Sequence, residues 1–121
     1  MVSAYDDETV SDVAFKLQDR DFSQIPIRDR ITGNWIGVVT DLGVLKMLLP
    51  NHDPVIKDRA KIGSLLISES GLVEGILECP YTESLIVVAQ MLVYSYAVLL
   101  KNNLGELKGI ITRADILQLV K

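Results

Sequence analysis

The chain has 121 residues, of which 49% are apolar and 23% charged, and its formal net charge is −4 at pH 7. This length suits one compact unit with a real core, whereas either half alone would be marginal. An acidic balance without a cluster of Lys and Arg argues against a nucleic-acid face. The single cysteine, Cys79, excludes an internal disulfide and suits a reducing compartment, so we expect a cytoplasmic protein.

The first half of the chain has the pattern of a strand, a helix, a hairpin and a second helix. Thr9 is a candidate helix N-cap, and Asp12 lies three residues later, where it would complete a capping box. Pro50 stops the second helix, and residues 50–60 are interpreted as a connector because of their prolines and charges. The elements predicted here are a strand over 2–5, a helix from Val10, strands over 23–28 and 35–39, and a helix over 41–49.

The second half repeats this order. Its predicted elements are a short helical lead-in over 61–67, a strand over 72–78, a helix over 83–93, strands over 96–100 and 107–111, and a helix over 113–120. The helix over 83–93 is apolar on most faces, so we expect it to be buried. The apolar run 85–100 is shorter than the roughly 20 residues of a membrane span and contains Gln90 and Ser95, so no membrane span is predicted.

Neither a metal site nor an active site is indicated. His52 is the only histidine, and no second His or Cys lies near it, which argues against zinc. The chain has no Ser-His-Asp set, P-loop or carboxylate pair at a recognisable spacing, so we predict no enzyme and no catalytic cofactor. Cys79, next to Pro80, is interpreted as a small buried hydrophobe rather than a reactive thiol. The acidic start of the chain, residues 1–9, does not have the layout of a signal peptide.

The most informative motif lies in the tail, where a turn at Gly105 is followed by a strand and then by Thr112 and Asp115. This spacing is that of a capping box, in which the hydroxyl and the carboxylate satisfy amides at a helix start. The same two groups, at a strand-to-helix junction, are also placed to meet a ligand, since a carboxylate there can accept from both hydroxyls of a ribose. The two roles can coexist, and the motif alone leaves both open.

The tail motif is echoed earlier in the chain. A shift of 72 positions, applied without a gap, lays Gly33 on Gly105, Gly37 on Gly109, Thr40 on Thr112, Ser23 on Ser95, and Ile25-Pro26-Ile27 on Ala97-Val98-Leu99. A period of this length indicates two copies of one unit. We place the first repeat at 1–49, the connector at 50–60 and the second repeat at 61–121. Residues 61–70 have no counterpart before the first repeat, which leaves open whether the chain is excised from a longer protein.

The two halves together carry a family resemblance. The pattern Ser-x-Ile-Pro-Ile, a turn and Gly-Val-Val-Thr, followed by a second copy ending Gly-Ile-Ile-Thr-Arg-Ala-Asp-Ile-Leu, resembles a tandem pair of cystathionine-β-synthase-type (CBS) domains, the Bateman module. The resemblance covers nearly the whole chain. It implies an α/β (α+β) fold of two β-α-β-β-α repeats packed with pseudo-twofold symmetry, usually as a homodimer. It also implies two clefts between the repeats that commonly hold AMP, ADP, ATP or S-adenosylmethionine.

The resemblance also implies which residues would form each site. In the second repeat, the ribose would meet Thr112 and Asp115, the apolar wall would be Ile110, a phosphate would meet Arg113, and the adenine would meet the backbone of Ser95, Tyr96 and Ala97. The weaker site would use Thr40, Asp41, Gln24 and Ile25. It has Gly43 where the family has Asp, so one good nucleotide site is expected rather than two.

A further departure concerns the phosphates. Family members that bind polyphosphates often carry Arg, His or Lys just before the strand that meets the base, where this chain has Phe22-Ser23-Gln24 and Tyr94-Ser95-Tyr96. A phosphate would then depend on Arg113, Lys108, Arg28 or the helix dipole. This favours a monophosphate, a nucleoside-like ligand or no ligand over ATP.

Two hypotheses about function follow. In the first, the chain is a regulatory module that senses an adenosine-containing nucleotide and passes a conformational change to an attached or docked effector domain. In the second, it keeps the fold only as a dimerisation or partner-docking scaffold. Gly43, the missing basic residues and the exposed-looking Trp35 favour the second hypothesis, and Thr112 with Asp115 favours the first.

Overall fold

The computed structural model describes residues 2–49 and 61–120 in full and the backbone of residues 59 and 60. The predicted connector 50–60, with Pro50 and His52, lies almost wholly outside the described residues, as does Met1. The chain divides into two compact units, Met1–Glu74 and Gly75–Lys121, which we call unit 1 and unit 2. Each unit contains one three-stranded mixed sheet with helices, so the fold class is α+β.

Unit 1 is built on a sheet with the strand order β1-β2-β3, in which β1 and β2 are parallel and β2 and β3 are antiparallel. Its elements are β1 Ala4–Tyr5, α1 Val10–Arg20, β2 Gln24–Arg28, β3 Trp35–Thr40, α2 Asp41–Met47, α3 Arg59–Ser64 and α4 Ile67–Ser70. The lead-in predicted over 61–67 is therefore two short helices rather than one. The other elements of this unit were placed close to their observed bounds.

Helix α1 begins where the sequence predicts it, because its capping box forms. The Thr9 hydroxyl accepts from the Asp12 amide at 3.2 Å, and the Asp12 carboxylate accepts from the Thr9 amide at 3.1 Å. The bond from the Thr9 amide holds the pKa of the Asp12 carboxyl below its ordinary value. Val10, Val13 and Leu17 follow at helical spacing and are buried against the sheet.

Residues 61–74, which the sequence assigned to the second repeat, pack with unit 1. Ile62, Ile67 and Leu72 are buried in its core beside residues of α1, β2 and β3. The Val10 amide donates to the Leu65 carbonyl at 2.9 Å, which ties this segment to the start of α1. These apolar side chains cover a surface that the β-α-β-β-α elements leave open, and this explains why the unit extends to Glu74.

The predicted bounds of the strand over 72–78 are wrong, because its residues pair with the sheets of both units. Glu74 pairs antiparallel with Val38 at the outer edge of β3, while β4 begins only at Leu77 and pairs with β5. The Val38 amide donates to the Glu74 carbonyl at 2.9 Å, and the Glu74 amide donates back at 2.8 Å. Gly37 permits this approach, since a Cβ there would meet the Glu74 carbonyl oxygen and lie 2.5 Å from Val73 Cγ1.

Unit 2 has the sheet order β4-β5-β6, again with one parallel and one antiparallel pair. Its elements are β4 Leu77–Pro80, α5 Leu85–Met91, β5 Ala97–Lys101, β6 Leu107–Thr112 and α6 Arg113–Gln118. Val88, Leu92 and Val98 form its small core, with Cys79 packed against them. Burial, and then the charge of Glu83, raises the pKa of the Cys79 thiol, which suits packing rather than reactivity.

The prediction that the helix over 83–93 is buried is wrong. Val88 and Leu92 are buried, but Ile86 and Val93 are 73% and 66% exposed. A helix on one side of a three-stranded sheet buries a single stripe, and composition does not reveal whether a further element covers the other faces. Among the helices of the described residues, none is long and apolar enough to cross a membrane.

The alignment of the two repeats without a gap is wrong where it matches β2 of unit 1 with β5 of unit 2. Gln24 pairs with Thr40 in unit 1, and Ala97 pairs with Thr112 in unit 2. The offset is therefore 72 positions from Thr40 to Thr112 but 73 from Gln24 to Ala97, because the second hairpin turn is one residue shorter. A shift of one residue turns every side chain to the other face. Ile25 therefore packs in the core of unit 1, whereas Ala97, which is also fully buried, lies on the sheet face opposite to Val98 and the helices of unit 2.

The close approach at Gly37 gives a testable stability difference. We expect Gly37→Ala to destabilise the protein by about 1–3 kcal/mol, because the added methyl overlaps the Glu74 backbone. Gly109→Ala is the matched control, since the nearest atom to a Cβ there is Leu100 Cδ1 at 3.9 Å. Urea unfolding of the two variants measures the difference, and equal effects would contradict the importance of this contact.

Candidate functional site

The junction between β6 and α6 carries the candidate ribose-binding residues. The Asp115 Oδ2 atom accepts from the Thr112 amide at 2.8 Å and from the Thr112 hydroxyl at 3.1 Å. The carboxylate is thus oriented by its own chain, as the capping interpretation predicts. Asp115 is exposed, and its Oδ1 atom receives no hydrogen bond from the part of the chain that the structure describes. The carboxylate therefore keeps one oriented oxygen that can accept from a ligand.

Strand pairing puts three of the predicted site residues on one face of the sheet. Ala97 lies opposite Thr112 and Leu99 lies opposite Ile110, so these four side chains share a face. Val98 and its partner Ile111 point to the other face, where they pack with the helices. Ala97, Ile110 and Thr112 therefore lie on one face of the sheet, turned away from α5 and α6, on which Ile110 and Thr112 are partly exposed while Ala97 and Leu99 are fully buried.

Ser95 is buried and serves the fold. Its hydroxyl donates to the Ala97 carbonyl at 2.6 Å and accepts from the Leu77 amide at 3.2 Å. These two bonds fix the start of β5 against the start of β4. The Ser95 side chain is therefore buried at the start of β5, where its only donor is taken by a backbone carbonyl.

Arg113 connects the candidate site to the end of α5. Its Nε donates to the Leu92 carbonyl at 2.7 Å and its Nη2 to the Val93 carbonyl at 3.5 Å, so it caps the C-terminus of that helix. The guanidinium also lies over the Tyr96 ring, 5.6 Å from its centre. Sequence reasoning did not find this link because the partners are about twenty residues apart and no motif marks them.

The weaker candidate site in unit 1 differs from the site in unit 2 in more than the replacement of the aspartate by Gly43. The Thr40 hydroxyl accepts from the Gly43 amide at 2.9 Å, as a helix cap. The Asp41 carboxylate accepts from the neighbouring Leu42 amide at 2.7 Å. A Cβ at position 43 would lie 3.0 Å from Thr40 Oγ1 and 3.8 Å from Leu72 Cδ2, so the side chain of Leu72 packs beside the place of the missing carboxylate.

The remaining residues predicted for unit 1 lie in different places. Gln24 lies opposite Thr40 and shares its face of the sheet, whereas the Ile25 side chain is in the core. Arg28, a candidate phosphate contact, donates to the Gly33 carbonyl at 3.0 Å and stacks on Trp35. Trp35 is therefore half-buried under a guanidinium rather than open to solvent.

An apolar groove on unit 2 was not predicted, because the apolar composition of α5 led us to expect a helix buried on most faces. The groove encloses about 240 Å³ and runs between α5 and α6. It is lined by Ala89, Leu92, Val93, Arg113, Ile116 and Leu117. No group of His, Cys, Asp or Glu side chains within residues 2–49 and 61–120 is arranged to hold a metal ion.

No family model and no curated protein matches the chain. Solved structures do match it. A hemolysin-like protein containing a CBS domain from Oenococcus oeni PSU superposes with a TM-score of 0.77 at 18% identity, over 98% of this chain and 79% of its own. CBSX2 in complex with AMP gives 0.71 at 18% identity, over 99% and 87%. The CBS domain of a bacterial CNNM/CorC family Mg²⁺ transporter in complex with ATP gives 0.74 at 15% identity, over 98% and 77%.

These identities are too low to carry an activity across, but the TM-scores establish a common fold. The likeness extends over almost all of the chain, so it includes both units. It confirms the resemblance inferred from the Thr-containing strand ends and the glycines of the two hairpins. The chain folds as a CBS-domain module.

Proposed function

We propose that the chain is a regulatory module that binds an adenosine-containing nucleotide and passes the resulting conformational change to an attached or docked partner. The observation that carries the proposal is the Asp115 carboxylate, which Thr112 orients while one oxygen is left to accept from a ribose. Two proteins of the same fold were solved with AMP and with ATP. AMP, ADP, ATP and S-adenosylmethionine are the candidate ligands, none of them as a catalytic cofactor.

The surroundings of Asp115 suit such a ligand. Ile110, which is partly exposed, supplies an aliphatic side chain on the same sheet face as Thr112, where a base can pack, whereas the side chain of Ala97 is fully buried. We propose that the backbone at Tyr96 and Ala97 meets the adenine. Arg113 is held by two carbonyls through Nε and Nη2, and its Nη1 makes no hydrogen bond to a described residue, which leaves donors for a phosphate.

A single strong site per chain follows from the difference between the units. Unit 1 has Thr40 at the matching strand end but no carboxylate at position 43, and the side chain of Leu72 packs against that place. Asp41 is engaged with its own helix start. Binding at Gln24, Ile25, Thr40 and Asp41 is therefore proposed to be weaker.

Regulation by such a ligand is a matter of linkage. A ligand shifts an equilibrium only by its differential affinity for two states, and coupling of about 1–3 kcal/mol is typical. Arg113 provides a physical connection, because the residue that follows the ligand-facing Thr112 also caps α5. A shift of the guanidinium toward a phosphate would alter that helix end.

The second candidate function is a dimerisation or partner-docking scaffold, with the chain as a homodimer. The observation that favours it is the apolar surface of unit 2. The groove between α5 and α6 is flanked by exposed aliphatic side chains, among them Ile86, Val93, Leu117 and Leu119. Exposed apolar patches of this kind commonly mark interaction sites. The groove and the Thr112 face lie on different sides of the sheet, but Arg113 lines the groove and is also the proposed phosphate contact, so the two functions would meet at that residue.

Asp115→Ala tests the ligand site directly. A ligand at 100 times its dissociation constant stabilises the folded state by about 2.7 kcal/mol. We expect an adenosine ligand to raise the melting midpoint of the unmodified chain and not that of Asp115→Ala, because the ribose loses its acceptor. Thermal-shift titrations with AMP, ADP, ATP, S-adenosylmethionine and GTP measure this.

Asp12→Ala is the matched control for that experiment. Asp12 has the same capping role at the start of α1 that Asp115 has at the start of α6. Both substitutions should lower the midpoint of the ligand-free protein, but only Asp115→Ala should lose the ligand-induced rise. No rise with any ligand in the unmodified chain would remove the sensor function and favour the scaffold.

Arg113→Gln tests the phosphate contact. We expect it to weaken AMP binding by about tenfold, which corresponds to about 1.4 kcal/mol, and to leave adenosine binding nearly unchanged. Arg20→Gln removes the same charge from the exposed surface of α1 in unit 1 and serves as the control, with little effect on either ligand. Isothermal titration measures both affinities. Equal losses for AMP and adenosine in Arg113→Gln would assign the residue to the structure of α5 alone.

A further inference from the structure

The outer edge of β3 in unit 1 is closed by a second piece of backbone. Val38 exchanges two hydrogen bonds with Glu74, at 2.9 and 2.8 Å, in an isolated antiparallel bridge. Gly37, the residue before, leaves the space through which Val73 and Glu74 pass. A side chain at position 37 would overlap that backbone. The glycine and the bridge are therefore two parts of one docking arrangement.

Unit 2 contains the same edge without its cover. Ile110 and Gly109 occupy on β6 the places that Val38 and Gly37 occupy on β3. Val38 pairs with Pro26, which has no amide hydrogen to donate, and the amide and carbonyl of Val38 point to the outer edge of the sheet. Leu99 and Ile110 form the matching pair in unit 2, so the amide and carbonyl of Ile110 point to the outer edge as well. Over the described ranges of the chain, no backbone group outside the sheet bonds to Ile110.

Gly109 is the second, independent observation. A Cβ built there would have only Leu100 Cδ1 within 4 Å, at a distance of 3.9 Å. The residue has an ordinary negative φ, so no turn requires a glycine at this place. A glycine within a strand weakens it and often marks a bulge or a place where a ligand or another backbone comes close, and both Gly37 and Gly109 lie beside a register shift in their hairpins. At Gly37 that close backbone is present, and at Gly109 the space for it is open.

We propose that the outer edge of β6 binds an extended peptide segment, which pairs antiparallel with Ile110 and passes over Gly109 as Glu74 and Val73 do on β3. The partner is defined by its chemistry as an extended segment with two aliphatic residues followed by the residue that pairs, the pattern of Leu72, Val73 and Glu74. Main-chain hydrogen bonds supply the affinity in this mode of recognition, and the alternate side chains supply the specificity. The inference does not depend on the proposed nucleotide.

The docked segment would also border the candidate ligand site. In unit 1, Leu72 Cδ2 lies 3.8 Å from the position of a Cβ on residue 43, whose counterpart in unit 2 is Asp115. An aliphatic residue carried to the same place by a docked segment would lie beside the Asp115 side chain. A peptide bound at this edge would therefore add an apolar side chain to the lining of the candidate ligand site at Asp115.

The test uses a peptide of residues 70–77, Ser-Gly-Leu-Val-Glu-Gly-Ile-Leu, added to the isotope-labelled full chain. We expect chemical-shift changes centred on 108–112 and, at saturating peptide, slowing of amide exchange at Ile110 by about tenfold or more. The control peptide carries an N-methyl group on the Glu nitrogen, which removes the donor to the strand edge, and it should not protect Ile110. Equal protection by the two peptides, or none by either, would overturn the proposal.

Gly109→Val supplies the matching change in the protein. The added side chain blocks the passage over β6, and we expect it to abolish peptide binding while the amide spectrum stays that of a folded chain. Gly75→Val is the control, because a Cβ at that glycine meets nothing within 4 Å, and this variant should bind the peptide normally. Binding that survives Gly109→Val would overturn the proposal. So would protection of Ile110 that rises with protein concentration alone, since it would assign the edge to a second copy of the chain.

Discussion

Antiparallel pairing within the two hairpins is the constraint on which the rest of each unit depends. It sets Thr40 opposite Gln24 and Thr112 opposite Ala97, so that each sheet ends in a threonine where the chain turns into a helix. Because strand side chains alternate, the same register decides which residues reach the helices and which face away. The candidate ligand site uses the sheet face turned away from the helices, and a slip of one position would replace its residues with those that now pack against the helices.

The two units share this frame and differ in what covers it. In unit 1 the segment that ends at Glu74 fills the core with Ile62 and Ile67, closes the β3 edge and brings Leu72 beside Gly43. Within the described residues, unit 2 has no such segment. That single difference accounts for its exposed Asp115, the groove between α5 and α6 and the open edge of β6. Binding functions are accordingly proposed for unit 2.

The sequence predicts best what is determined locally. The capping box at Thr9 formed as expected, and at Thr112 the Asp115 carboxylate accepts from the Thr112 amide, while the Thr112 hydroxyl donates to that carboxylate. The turn glycines Gly33 and Gly105 have φ values of 76° and 77°, which only glycine adopts easily. Features that depend on distant contacts were missed. The apolar composition of α5 does not show that half of it lacks a cover, and no motif joins Arg113 to Leu92. The second hairpin turn is one residue shorter than the first, so an alignment of the repeats without a gap placed β2 and β5 one residue out of register.

The most direct test of this account is a residue-resolved NMR titration of the isotope-labelled chain with AMP. The account predicts shifts concentrated at 110–115 that saturate at one equivalent, with the amides of 40–43 unaffected at that concentration. This pattern would tie binding to the oriented carboxylate of Asp115. Shifts of equal size at 40–43, or the absence of any shift at 110–115, would contradict it.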